Sequence, residues 1–225
     1  MNIKIASVDS LIIYFSDTIS KKVSLEVKSA YRNLKNLNNE GLIEIIPSYT
    51  SLFISYDVFK YDFESIKAFL FEELKNLKPY KEDNSNIITI DVYYGEEVGL
   101  DLNRVASFSN ISINEVIKIH SEKIYDVYAI GFLPGFAYMA EIDKKIIVPR
   151  LASPRKITPK GSVSIADNQT AIYPKDSPGG WNVLGRTTFK LFDKDLEELS
   201  PISIDSKIKF NSISKELFID QGGQI

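Results

Sequence analysis

The feature that most constrains this chain is a change of periodicity along its length. Up to residue 94, two helical stripes of apolar residues stand between strand-like runs. From Tyr125 onward, short apolar segments are cut by Gly or Pro roughly every ten residues. One layer type cannot satisfy both textures, so the chain reads as an α/β unit followed by a mostly β unit.

In the first part "LIIYFS" reads as a strand. Val23, Val27, Ala30, Leu34 and Leu37 then recur at helical spacing, with Gly41 where a helix C-terminus is expected. "LIEIIPS" and "SLFISYD" read as two strands. Phe63, Ile66, Leu70, Leu74 and Leu77 trace a second helix that Pro79 would end, and "IITIDVYY" reads as a last strand. The order β-α-β-β-α-β predicts a ferredoxin-like split βαβ domain over residues 1–94, with 78–86 a loop inside it.

Residues 95–225 form the second predicted domain. Helices are expected from Asp101 and from Ser112, where Ser112 and Glu115 spell a capping box. The segments "YDVYAIGF", "KIIVP", "SVSIA", "TAIYP", "TFKLF", "KIKF" and "ELFI" read as short strands of a barrel or sandwich. The fold class is therefore α+β.

Composition narrows the chemistry. Of 225 residues, 44% are hydrophobic and 25% charged, the balance of a soluble globular protein. A net charge of −3 argues against a general nucleic-acid binder. With no cysteine, disulfides, thiolate nucleophiles and Cys-ligated zinc are excluded, and a single histidine excludes a His-rich metal site. No metal site is expected. The apolar run at 11–15 is too short for a membrane span or a signal-peptide core, so a cytoplasmic protein is expected.

His120, in the last turn of a predicted helix, is the one side chain that titrates near neutrality without perturbation. A helix-end structural role and an acid/base role are both open. "IGFLPGFAYM" sets Phe132, Pro134 and Gly135 among aromatics, as a pocket wall or as a barrel plug. "VPRLASPRKITPKGS" carries Arg150, Arg155, Lys156 and Lys160 on a proline-stiffened loop suited to gripping a carboxylate or phosphate, or to lying solvated on the surface. In "YPKDSPGGWNVLGRT" the only tryptophan, Trp181, follows Gly179 and Gly180, whose backbone donors could form an anion nest. No P-loop and no nucleophile elbow occur.

Taken in order, "YDVYAIGFLPGFAYM" and "VPRLASPRKITPKGSVSIADNQTAIYPKDSPGGWNVLGRT", with "IH" upstream, resemble the family of the 5-oxoprolinase B subunit, also called the PxpB/KipI or allophanate hydrolase subunit 1-like family. The resemblance spans nearly the whole chain. It departs at "YYGEEVGLDL", where Glu96 and Leu100 replace a family glycine and proline, which puts a backbone contact to a partner in doubt. It implies a small α/β domain followed by a cyclophilin-like β-barrel. It also implies one component of an ATP-dependent amidohydrolase that opens 5-oxoproline to L-glutamate with subunits A and C. ATP with Mg²⁺ would be bound here or at a partner-subunit interface.

On that resemblance His120, Arg150 and Arg155 would be catalytic. Phe132, Pro134, Gly135, Gln169, Tyr173, Ser177, Gly179, Gly180 and Trp181 would bind substrate or anion. A family member known as an inhibitor of a sporulation histidine kinase supplies the rival reading, a docking module whose arginines and aromatics anchor an interface. A part in urea degradation ranks last.

Overall fold

In a computed structural model, which describes residues 1–78, 80, 87–195 and 197–225, the chain forms two compact units, 1–83 and 84–225. The first holds β1 (Asn2–Ser7), β2 (Ser10–Tyr14), α1 (Lys21–Asn36), β3 (Leu42–Ser48), β4 (Ser51–Tyr56) and α2 (Phe63–Leu74). Its strands lie in the order β1-β2-β4-β3, antiparallel throughout. Alternation puts Leu11, Ile13, Leu52 and Ile54 on one face, where they meet Val27, Ala30 and Leu34 of α1 and Ile66 and Leu70 of α2.

The helices start where capping residues stand. Ser20 accepts from the Val23 N–H, and Asp62 and Ser65 form a reciprocal capping box. Gly41 does not end α1. Asn38 takes the left-handed position (φ 47°), while a Cβ at Gly41 would strike the Tyr61 ring. Pro79 and most of the loop predicted at 78–86 lie outside the described residues.

The expected split βαβ order is not what forms. β1, a short alternating strand the periodicity missed, occupies the sheet edge beside β2. The strand Ile87–Tyr93, expected to close this sheet, is β5 of the second unit. There it pairs in parallel with β13 (Lys207–Ile213) along its whole length, from Lys207↔Ile87 to Ile213↔Tyr93. The partner lies more than a hundred residues away, so no local pattern could announce it.

The second unit continues with α3 (Leu102–Ser109), α4 (Ile113–Glu122), β6 (Ile124–Ile130), β7 (Ala137–Ala140), β8 (Arg155–Thr158), β9 (Ser162–Ala166), β10 (Gln169–Ile172), β11 (Ser177–Gly179), β12 (Asn182–Arg186), β13 and α5 (Lys215–Asp220). Strands β6-β13-β5-β12-β9-β10-β7 form a sheet that the β6–β7 pairing closes into a 7-strand barrel. β11 and β8 make a separate two-stranded ribbon.

Ser112 accepts from the Glu115 N–H at 3.2 Å as predicted, while the Glu115 carboxylate lies 3.9 Å from Lys145. "ELFI" is helical in α5, because Ser214 caps it by accepting from the Leu217 N–H. "TFKLF" forms no strand, and "KIIVP" contributes a single bridge, Val148↔Asp167.

Candidate functional site

A cavity of about 270 Å³ opens in the second unit between three segments remote in sequence. The turn at 131–136 brings Phe132 and Phe136, with Tyr138 following on β7. The loop at 149–155 brings Arg150 and Pro154. The third wall is Tyr173, Pro178, Gly179, Gly180 and Trp181.

Phe136 is the floor. Only 1% exposed, its ring meets Phe132, Tyr138, Tyr173 and Trp181 edge-on at centroid distances of 5.3, 4.8, 5.4 and 5.9 Å. Two backbone bonds shape this turn: Gly131 N–H donates to the Phe136 carbonyl and Phe136 N–H to that of Leu133. Gly135 is required there, since its φ is +83° and a Cβ would stand 2.5 Å from the Leu191 carbonyl oxygen. Phe132 also has positive φ, 72°, an uncommon state for an aromatic residue that projects its ring into the cavity mouth.

Opposite, Arg150 extends into solvent and holds its guanidinium 5.8 Å from the Trp181 ring centroid. The carboxylate beside it is that of Asp167, at 3.7 Å. Burial raises the phenol pKa values of Tyr138 and Tyr173 above the usual range, so both stay protonated at neutral pH. The cavity thus presents one exposed cation, aromatic walls and neutral hydroxyls. Among the described lining residues no carboxylate or imidazole occurs.

The predicted site residues divide accordingly. Phe132, Arg150, Tyr173, Gly179, Gly180 and Trp181 line the cavity. Gly135 shapes it from behind, and Pro134 is exposed in the same turn. Gln169 lies on β10 opposite Ala140 and Ala166, and Ser177 is buried in β11; neither lines it.

Arg155 is no free anion holder. Its Nη2 donates to Asp101 Oδ1 at 2.6 Å, and Nη1 is enclosed without a partner. Phe136, Tyr138, Pro154 and Pro178 complete the lining. They stood in or beside the Gly/Pro-rich segments, but nothing local said which aromatics would converge.

His120 stands apart from the cavity. It is fully buried and lines no part of the cavity. From α4 it reaches between β13 and β10, stacking on Phe210 at 4.7 Å. The Tyr94 hydroxyl lies 2.8 Å from Nδ1, and Thr170 Oγ1 lies 2.9 Å from Nε2. Thr170 donates its own proton to the Ser164 carbonyl, so it accepts from Nε2–H, and Nδ1 accepts from Tyr94. That assignment needs a neutral imidazole. Burial drives its pKa down to about 3. The neutral imidazole thus ties α4 to β13 and β10.

Among the described residues no cluster of His, Cys, Asp or Glu could hold a metal ion, and no helix is long and apolar enough to cross a membrane.

A closed β-barrel with a loop-built aromatic cavity defines a class, and residues 1–202 match the family described as carboxyltransferase domain, subdomain C and D. Within that class the chain belongs to the family of the 5-oxoprolinase B subunit. It is 36% identical to the 5-oxoprolinase B subunit of Bacillus subtilis over 217 residues, 92% of this chain and 90% of that one. It is also 36% identical to the Haemophilus influenzae protein of the same name, over 77% and 80% of the two chains. Among solved structures TTHA0988 superposes with a TM-score of 0.80 at 29% identity over 91% of this chain, which spans only 40% of that longer one.

Proposed function

We propose that this chain is the B component of an ATP-dependent 5-oxoprolinase, which hydrolyses 5-oxo-L-proline to L-glutamate together with subunits A and C. The observation that carries this reading is the 36% identity to a protein of that name across 92% of this chain and 90% of the relative. The cavity is consistent with it. At about 270 Å³ the cavity has room for a five-membered lactam, which in this reading would lie among Phe132, Tyr138 and Trp181 with its carboxylate toward Arg150. At Gly180 a Cβ would meet nothing closer than 3.6 Å, so the missing side chain leaves room beside Pro154.

A lactam carbonyl is a poor electrophile, and phosphorylation of its oxygen by ATP would activate it toward water. The cavity's one guanidinium does not fit a triphosphate with its several charges, so ATP and Mg²⁺ are assigned to a partner chain. The lining residues also lack a proton acceptor working near neutrality, so the partner supplies that group as well. In this division of labour the present chain binds, orients and shields the ring, and alone it is inactive. ATP-dependent chemistry of this kind suits an assembly in the cytoplasm.

The test is reconstitution with the A and C partners from the same genome. 5-Oxoproline-dependent ATP hydrolysis should require this chain. Equal turnover by the other two components without it would sink the reading and leave docking to a sensor histidine kinase as the role to examine.

A further inference from the structure

Asp101 stands at the N-cap of α3, where an aspartate ordinarily accepts from the first free N–H groups of its own helix. Its side chain makes no capping bond. It is 4% exposed, and both carboxylate oxygens are committed elsewhere. Oδ2 accepts from the Val183 N–H at 2.7 Å, and Oδ1 accepts from Arg155 Nη2 at 2.6 Å. The Asp101 N–H also donates to the Val183 carbonyl at 2.9 Å.

Val183 lies two residues beyond Trp181, and Arg155 directly follows Pro154. One oxygen therefore holds the tryptophan wall of the cavity and the other holds the loop of Arg150. A second link leaves the same helix. Arg104 Nη1 bonds Asn182 Oδ1, and Asn182 Nδ2 donates to the carbonyls of Pro149 and Ile165 at 3.1 and 3.2 Å. Pro149 immediately precedes Arg150. Across the mouth, Leu151 N–H donates to the Gly180 carbonyl at 2.8 Å.

We propose that Asp101 is a positioning residue that sets the separation of the two cavity walls, and with it the seat of Arg150 over Trp181. It touches nothing in the cavity; it acts through Arg155 and Val183. Its role in 5-oxoproline binding rests on the function proposed above, but its effect on the cavity does not. Asparagine here keeps an acceptor for Val183 yet turns an NH₂ donor toward the Arg155 guanidinium. That substitution releases the loop and spares the strand.

Trp181 is the only tryptophan of the chain, so its fluorescence reports on this cavity without substrate or partner. In the wild-type protein iodide should quench Trp181 more strongly than caesium, because Arg150 attracts the anion. In Asp101→Asn the iodide-to-caesium ratio should fall about twofold toward unity and the emission shift to the red, with the far-ultraviolet circular dichroism unchanged. Arg155→Gln cuts the same link from its more exposed end and should reproduce the change if the first variant folds poorly. Folded variants with wild-type emission and quenching ratio would overturn the proposal. The cavity effect without any loss of 5-oxoproline-dependent turnover in the reconstituted assembly would leave the positioning role standing and remove the function assigned to the cavity.

Discussion

The guanidinium of Arg150 lies 5.8 Å from the centroid of the Trp181 ring, a well-exposed cation seated on a side chain that is itself only 5% exposed. An anion arriving at Arg150 therefore meets a solvated charge with an aromatic face on one side and the Asp167 carboxylate 3.7 Å away.

Arg150→Met keeps the apolar stem and removes the charge. In the reconstituted assembly the KM for 5-oxoproline should rise about 10- to 100-fold, the loss expected for one charged hydrogen bond. The unfolding midpoint should move by no more than about 2 °C, because the side chain is largely solvated. Arg150→Lys should fall between the two, since an ammonium lacks the planar fork. Unchanged KM in the methionine variant would remove the arginine from the binding site.

Gly179→Ala should be harmful where Gly180→Ala is mild. A Cβ at Gly179 runs into the Tyr173 hydroxyl and stands 2.8 Å from Thr158 Oγ1, whereas at Gly180 its nearest neighbour is Pro154 Cγ at 3.6 Å. Displacing Tyr173 should cost about 1–3 kcal/mol and shift Trp181 emission. The Gly180 variant should stay within about 0.5 kcal/mol, as read by thermal unfolding of the pair.

His120 should control stability on the acid side. Its folded pKa of about 3 lies below the ordinary value of 6.5, so between those limits the unfolded chain binds the extra proton. Stability is fully present above pH 6.5 and is lost as pH falls, by up to about 1.4 kcal/mol per unit from this group. Urea midpoints measured from about pH 7.5 to 5 should show this slope, and His120→Gln should flatten it while lowering stability at neutral pH. A variant that keeps the wild-type slope would contradict the buried neutral imidazole.

Asp62→Ala tests the N-terminal unit. It removes the acceptor for the Ser65 N–H at 2.8 Å and breaks the capping box that starts α2. The expected cost is about 1 kcal/mol, measured by urea unfolding, with no change in Trp181 emission, which reports only on the other unit.

What was legible in the sequence follows from the range of the interactions that decide each feature. The stripe from Val23 to Leu37 and the stripe from Phe63 to Leu77 are local periodicities, and both became helices, ending at Asn36 and Leu74. The strand-like runs before, between and after them also formed where alternation or branched residues announced them. The Gly/Pro-rich segments likewise marked the three loops that carry the cavity.

The pairing of Ile87–Tyr93 with Lys207–Ile213 was not legible, because parallel register between distant strands leaves no local trace. The chemistry of individual polar residues was equally hidden. His120 and Arg155 looked available as isolated letters. Burial and partners, Tyr94 and Thr170 for one and Asp101 for the other, are visible only in the folded chain. The sequence by itself determined the first four helices, the glycine-rich turns and most of the strands, since those depend on neighbours a few residues away. Only the tertiary structure decided which arginine faces solvent over the tryptophan and which is tied down, since that depends on solvent exclusion by segments far apart in the chain.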